Sequence, residues 1–94
     1  MEEEIVRVRT PRGPEVIGTV TEALGGSRFR VESEDGKERI CRIPGKLKRR
    51  MYVRLGDVIL LKPWELEGDK KGDIIWRYRP AQISWLRSKG LVKQ

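Results

Sequence analysis

Along this chain, short blocks of apolar and polar residues are punctuated by glycine and proline, and the period within each block names an element. Residues 1–15 read as an extended N-terminal arm. They have an acidic start, then Ile5-Val6-Arg7-Val8-Arg9 in near alternation, then Thr10-Pro11-Arg12-Gly13-Pro14, whose prolines and glycine oppose regular structure. The stretch from Val16 to Leu24 is rich in β-branched residues and predicts a first strand, with Gly18 marking a bend or a close backbone approach. Gly25-Gly26-Ser27 predicts a hairpin turn, and the chain returns from Arg28 to Ser33 with Phe29 and Val31 on one face and Arg28, Arg30 and Glu32 on the other. Asp35-Gly36 is a second hairpin signal. The third strand, from Glu38 to Ile43, then sets Cys41 and Ile43 against Ile40 and Arg42.

After Pro44-Gly45 the alternation stops, and Leu47 and Met51 are spaced as one helical turn would space two buried residues, so a short helix or helical loop is expected there. Leu55-Gly56-Asp57 is a turn. The run from Val58 to Lys62 is almost continuously apolar, as a central strand buried on both sides would be. Pro63 ends it, and a loop bearing Glu65, Glu67 and Asp69 follows to Gly72. A fifth strand from Asp73 to Arg79 is expected to place Ile74, Trp76 and Tyr78 in the core, opposite Ile75, Arg77 and Arg79. A C-terminal helix begins at Pro80 and stops at Gly90, with Ile83 and Leu86 on its apolar side. The order predicts a mainly β domain: a five-stranded OB-fold Greek-key barrel over residues 16–80, with a short helical segment between strands three and four, and a helix and short tail over 81–94. An SH3-like barrel also has five strands, but its helical turn falls between its last strands.

Composition narrows the chemistry. The 94 residues contain no histidine and a single cysteine, Cys41, so an internal disulfide, a Cys/His zinc site and an imidazole base are all excluded. Cys41 reads as a small buried hydrophobe, the carboxylates of the 65–69 loop as a solvated acidic face, and no cofactor is expected. No apolar stretch is long enough to cross a bilayer, and the acidic N-terminus has the wrong sign for a signal peptide. A cytoplasmic, monomeric, non-enzymatic protein without a membrane partner is expected.

Twenty-one Lys and Arg against 14 Asp and Glu give a net charge of +7, and its position matters more than its size. Between Lys37 and Arg54 lie eight basic residues and one acid, while the other 76 residues hold 13 of each sign. A confined excess of this kind predicts an anion-binding surface. Arg28 and Arg30 on strand two, Arg42 on strand three, and Lys46, Lys48, Arg49, Arg50 and Arg54 beyond it fall on one side of the expected barrel, where OB folds bind nucleic acid. Phosphate contacts there would give salt-dependent binding with little sequence readout. Six aromatic residues are few for a single-strand binder. Phe29 is expected in the core; Tyr52 beside the basic cluster and Trp64 after strand four are the stacking candidates, and Trp85 either seals the helix to the barrel or is exposed. Many cations with few stacking platforms suit folded RNA better than a bare single strand.

The runs Phe29-Arg30-Val31, Arg42-Ile43-Pro44-Gly45-Lys46-Leu47-Lys48-Arg49-Arg50-Met51-Tyr52-Val53, Gly56-Asp57-Val58-Ile59-Leu60-Leu61 and Asp73-Ile74-Ile75-Trp76-Arg77-Tyr78 resemble the translation initiation factor 1A family of archaea and eukaryotes. The likeness covers roughly residues 16–92; bacterial initiation factor 1 shares the plan without the C-terminal helix. The resemblance implies a non-enzymatic factor that binds the decoding A site of the small ribosomal subunit and helps recruit initiator tRNA and mRNA. The implied partners are ribosomal RNA, other initiation factors and, indirectly, initiator tRNA. It carries RNA contact onto Lys46, Lys48, Arg49 and Arg50 first, then Arg28, Arg30, Arg42 and Arg54. The chain stops at Gln94 without the long acidic tail of eukaryotic members, so functions of that tail are not carried over, and an archaeal source is expected. Two further readings of the same residues are a general OB-fold RNA chaperone and a protein adaptor whose basic face meets an acidic partner and whose C-terminal helix, with Trp85 and Leu86, docks elsewhere.

Overall fold

A computed structural model of the chain describes residues 8–92. Met1–Arg7, which hold the acidic start and most of the alternating part of the arm, and Lys93–Gln94 lie outside the described residues. The elements are β1 (Val16–Gly25), β2 (Arg28–Ser33), β3 (Glu38–Arg42), a 3-10 turn at Gly45–Leu47, β4 (Val58–Pro63), β5 (Lys71–Arg77) and a helix α1 (Pro80–Ser88). The strands close a barrel in the order β1-β2-β3-β5-β4. β3 and β5 run parallel and every other pair antiparallel, which is the Greek-key OB arrangement.

The turns follow from local chemistry. Gly25, Gly26 and Ser27 all take positive φ, and two glycines make that conformation inexpensive at the β1–β2 hairpin. Gly18 is a close approach: a Cβ there would sit 2.5 Å from Val31 Cγ1 and 3.0 Å from the Glu32 carbonyl oxygen. β1 also shifts register twice against β2, after Val20 and after Ala23, which lets one long strand coil to pair with β2 and β4.

Two cores explain the unbroken apolar run of β4. Ile59 and Leu61 point into the barrel with Val20, Phe29, Val31, Cys41 and Ile74, and Leu47 and Met51 of the helical turn plug its end. Val58 and Leu60 point outward into a second core with Val8, Ile17, Tyr78, Leu86 and Val92. Each fully buried Leu or Ile contributes roughly 1.5–3 kcal/mol, so the second core is what holds α1 on the barrel. Trp85 and Ile83 are half-buried against it, so Trp85 seals the helix to the barrel. Arg79 precedes the helix, and its backbone N–H donates to Gln82 Oε1 at 2.8 Å. At the other end the Leu91 N–H donates to the Leu86 carbonyl at 2.9 Å around Gly90, a glycine stop of the expected kind. The segment from Val8 to Glu15 is fastened to the body, because Val8 is in the second core and the Tyr78 hydroxyl donates to the Arg9 carbonyl. Burial pushes the Tyr78 phenol up to about 12.

The expected helical connection after β3 is a short 3-10 turn, and Leu47 and Met51 pack as expected. One sequence expectation needs correction. β5 does not keep Ile74, Trp76 and Tyr78 on one inward face. Leu61 pairs with Ile74 but Leu60 pairs with Trp76, so Ile75 is an extra residue and the strand bulges. The bulge leaves Ile74 inside the barrel, moves Tyr78 to the outer core, and leaves Trp76 38% exposed with the Arg9 guanidinium 5.8 Å from its ring.

Candidate nucleic-acid interface

The outer face of the β2–β3 ribbon and the loop that follows it meet at one end of β3. Arg28 lies directly across from Arg42, and Arg30 across from Ile40, all on the face away from Phe29 and Cys41. β3 then runs into Pro44-Gly45 and the 3-10 turn. Because Leu47 and Met51 are anchored in the barrel end, the preceding Lys46 and the intervening Lys48, Arg49 and Arg50 are held out in solvent. Tyr52 is 72% exposed beside them, with the Arg54 guanidinium 5.2 Å from its ring centre. The backbone of Arg54 is fixed by a 2.8 Å hydrogen bond from its N–H to Asp57 Oδ2.

The basic residues counted in the sequence separate into two groups here. Arg30 is paired with Glu22 at 2.9 Å and Glu38 at 3.8 Å, Lys37 with Asp69 at 2.9 Å, and Arg42 with Asp73 at 3.1 Å. Arg28, Lys46, Lys48, Arg49, Arg50 and Arg54 are all exposed, and none makes an ion pair with a described residue. On this face, these six have no acidic partner among the described residues.

Arg39, although inside the basic run, is not part of the surface. It is 3% exposed, its Nε donates to the Gly68 carbonyl at 2.6 Å, and its two Nη atoms donate to the Asp35 carboxylate at 3.1 and 2.9 Å. The guanidinium therefore clamps the β2–β3 turn to the β4–β5 loop, and its hydrogen bonds hold the Asp35 carboxyl below the usual carboxylate range. Alternation carried the signal, since Arg39 is in phase with the buried Cys41. Both clamped loops are acidic and sit at the start of β3, while the free cations sit at its end, so the barrel is electrostatically polar along that strand.

Trp64, the other stacking candidate, is half-buried. Its Nε1–H donates to Asp73 Oδ1 at 2.9 Å, and the Arg42 guanidinium and Lys71 ammonium lie 5.1 and 5.4 Å from its ring centre. Tyr52 also has a guanidinium over its ring, but it is exposed, whereas Trp64 is half-buried and held through its indole nitrogen. Cys41 is wholly buried, and burial pushes its thiol up to about 12, so it is a packing residue. Among the described residues no group of His, Cys, Asp and Glu is placed to hold a metal ion, and no helix is long and apolar enough to cross a membrane.

Comparison with known proteins gives this surface its context. Residues 2–94 match the family described as Translation initiation factor 1A / IF-1. A translation initiation factor 1A of Pyrococcus abyssi is 47% identical over 92 residues, covering 98% of this chain and 81% of that protein. One of Methanococcus aeolicus is 53% identical over 90 residues, covering 94% of this chain and 86% of that one. Among solved structures, the bacterial-type translation initiation factor 1 of a Wolbachia endosymbiont of Brugia malayi superimposes with a TM-score of 0.56 at 34% identity, covering 73% of this chain and 82% of its own. YjeQ of Thermotoga maritima gives the same TM-score at 22% identity over 69% of this chain and 23% of that one, a likeness of fold alone. The relatives are named as initiation factors, a non-enzymatic class, and the archaeal ones match nearly end to end. With the OB barrel, the C-terminal helix and a match that spans almost its whole length, the chain belongs to the translation initiation factor 1A / IF-1 family.

Proposed function

We propose that this protein is an initiation factor that docks on the small ribosomal subunit at the decoding A site, with its exposed cations on ribosomal RNA phosphates, and so promotes recruitment of initiator tRNA and mRNA. The observation that carries the reading is the cluster of exposed cations at the end of β3, from Lys46 to Arg54 with Arg28, none of which has an acidic partner among the described residues. A cation with no partner in the folded protein gives up no ion pair when it meets a phosphate, and it releases condensed counterions from the RNA. The exposure of Tyr52 beside the cluster supports a stacking contact with a base. The acidic loops at the start of β3 disfavour the reverse orientation on RNA. The protein acts as a cytoplasmic monomer, and other initiation factors bound to the same subunit are its neighbours there.

Changing Lys48, Arg49 and Arg50 together to Ala tests the reading. All three side chains are exposed, so the melting temperature should hold, with each change worth within about 0.5 kcal/mol. Binding to small subunits should weaken strongly, and the slope of log affinity against log salt should fall by about 2–3, at roughly 0.7–0.9 per lost phosphate contact. Unchanged subunit binding overturns the assignment. An equal affinity of the wild type for an unstructured oligonucleotide and for intact subunits would instead indicate a general RNA chaperone.

A further inference from the structure

The ion pair between Arg42 and Asp73 has a geometry unlike simple neutralisation. Only Nε of Arg42 is used, donating to Asp73 Oδ1 at 3.1 Å. That same oxygen accepts the Trp64 Nε1–H at 2.9 Å, and the Trp64 ring lies 5.1 Å from the Arg42 guanidinium carbon. Three residues from three places in the chain therefore fix the plane of one guanidinium: β3 supplies Arg42, β5 supplies Asp73, and the segment after β4 supplies Trp64. The parallel pairing of Arg42 with Asp73 across β3 and β5 makes the arrangement possible. Arg42 remains 57% exposed, and neither Nη atom has a partner among the described residues. Arg42 lines an open groove together with Pro14, Lys62, Trp64 and Glu65, and Arg28 lies across the ribbon from Arg42.

We propose that Arg42 is a pre-oriented two-nitrogen fork for one phosphate of the bound RNA, and that Trp64 and Asp73 are its positioning residues. An arginine's value for phosphate lies in its planar donor fork, and holding that plane in advance removes side-chain entropy otherwise lost on binding. Trp64 then acts through Arg42 and is not a base-stacking platform, and Asp73 aids the binding of an anion despite its own negative charge. This rests on the RNA-binding reading above.

The sign of one effect decides it. Asp73→Ala raises the net charge by one, so plain electrostatics expects tighter binding to small subunits, whereas loss of positioning expects binding weaker by about three- to tenfold, the scale of ordering one long side chain on binding. Arg42→Ala should cost a similar factor and lower the salt slope by about 0.7–0.9. Trp64→Ala should weaken binding too, and in the Arg42→Ala background it should add nothing, as a double-mutant cycle requires of residues acting as one unit. Trp64→Phe keeps a ring beneath the guanidinium and should recover part of the loss. Thermal melts identify any variant that fails to fold, and the Trp64→Phe and Arg42→Lys variants keep the test open if the alanine forms do not fold. Tighter binding by folded Asp73→Ala, or additive losses for Trp64 and Arg42, overturns the proposal. If the Lys48/Arg49/Arg50 variant binds normally the RNA reading itself fails; if that variant is defective while the Arg42 variants bind normally, only the fork fails.

Discussion

The Arg39 clamp makes a strong demand on stability, because a buried guanidinium has no tolerable substitute for its partners. Arg39→Met keeps the apolar stem and removes three charge-assisted hydrogen bonds, to the Gly68 carbonyl at 2.6 Å and to Asp35 at 3.1 and 2.9 Å. A bond of this kind, lost while its partner stays buried, costs about 1.5–3 kcal/mol. Here the partners are relieved in part: the Asp35 side chain is 33% exposed and keeps a 3.2 Å bond from the Lys37 N–H, so water restores much of its solvation. A total cost of about 2–4 kcal/mol follows, which in a domain of this size is a fall of roughly 10–25 °C in melting temperature. The pH dependence follows from Asp35. Its folded pKa is lowered, chiefly by the hydrogen bonds from Arg39, so the unfolded state binds the proton more readily. The stability this contributes is fully present above the unfolded carboxylate value of about 3.9 and is lost as pH falls through the lower folded value. Thermal melts of wild type and Arg39→Met at pH 7 and again at about pH 2.5 measure the gap directly, and carboxylates common to both proteins cancel from it. The gap should be wide at neutral pH and narrow in acid. A variant melting within about 3 °C of wild type at pH 7, or a gap that does not change with pH, would refute the clamp.

Two further outcomes are expected. Gly18→Ala should lower stability by about 1–3 kcal/mol through overpacking against Val31 and the Glu32 carbonyl, measurable by urea denaturation, and a further Val31→Ala change should recover part of the loss if the clash is its cause. Cys41, wholly buried with its thiol pushed up to about 12, should resist a thiol reagent such as dithionitrobenzoate at pH 8 until denaturant is added; rapid labelling of the folded protein would contradict its place in the barrel.

Much of this molecule is local and therefore readable in one dimension. Period-2 alternation assigned Phe29 and Val31 to the barrel interior and Arg28 and Arg30 to its outside, and the register of β2 against β3 agrees. The unbroken run from Val58 to Leu61 required burial on both faces, which the two cores supply. The spacing of Leu47 and Met51 required both to pack, and the cations between them were thereby committed to solvent. What the tertiary structure decided are relations between residues far apart in the chain. The bulge at Ile75 arises from pairing with β4 and reverses the expected side of Trp76, because one extra residue flips a period-2 pattern. Charge could be counted from the sequence but not paired. Only closure of the barrel brings Asp69 to Lys37, Gly68 to Arg39 and Asp73 to Arg42, since Coulomb and hydrogen-bond energies depend on distance in space and not along the chain. The sequence by itself determined the fold and the segment that would be basic; the parallel closure of β3 on β5 decided which of those cations meet an acidic partner within the protein and which have none among the described residues.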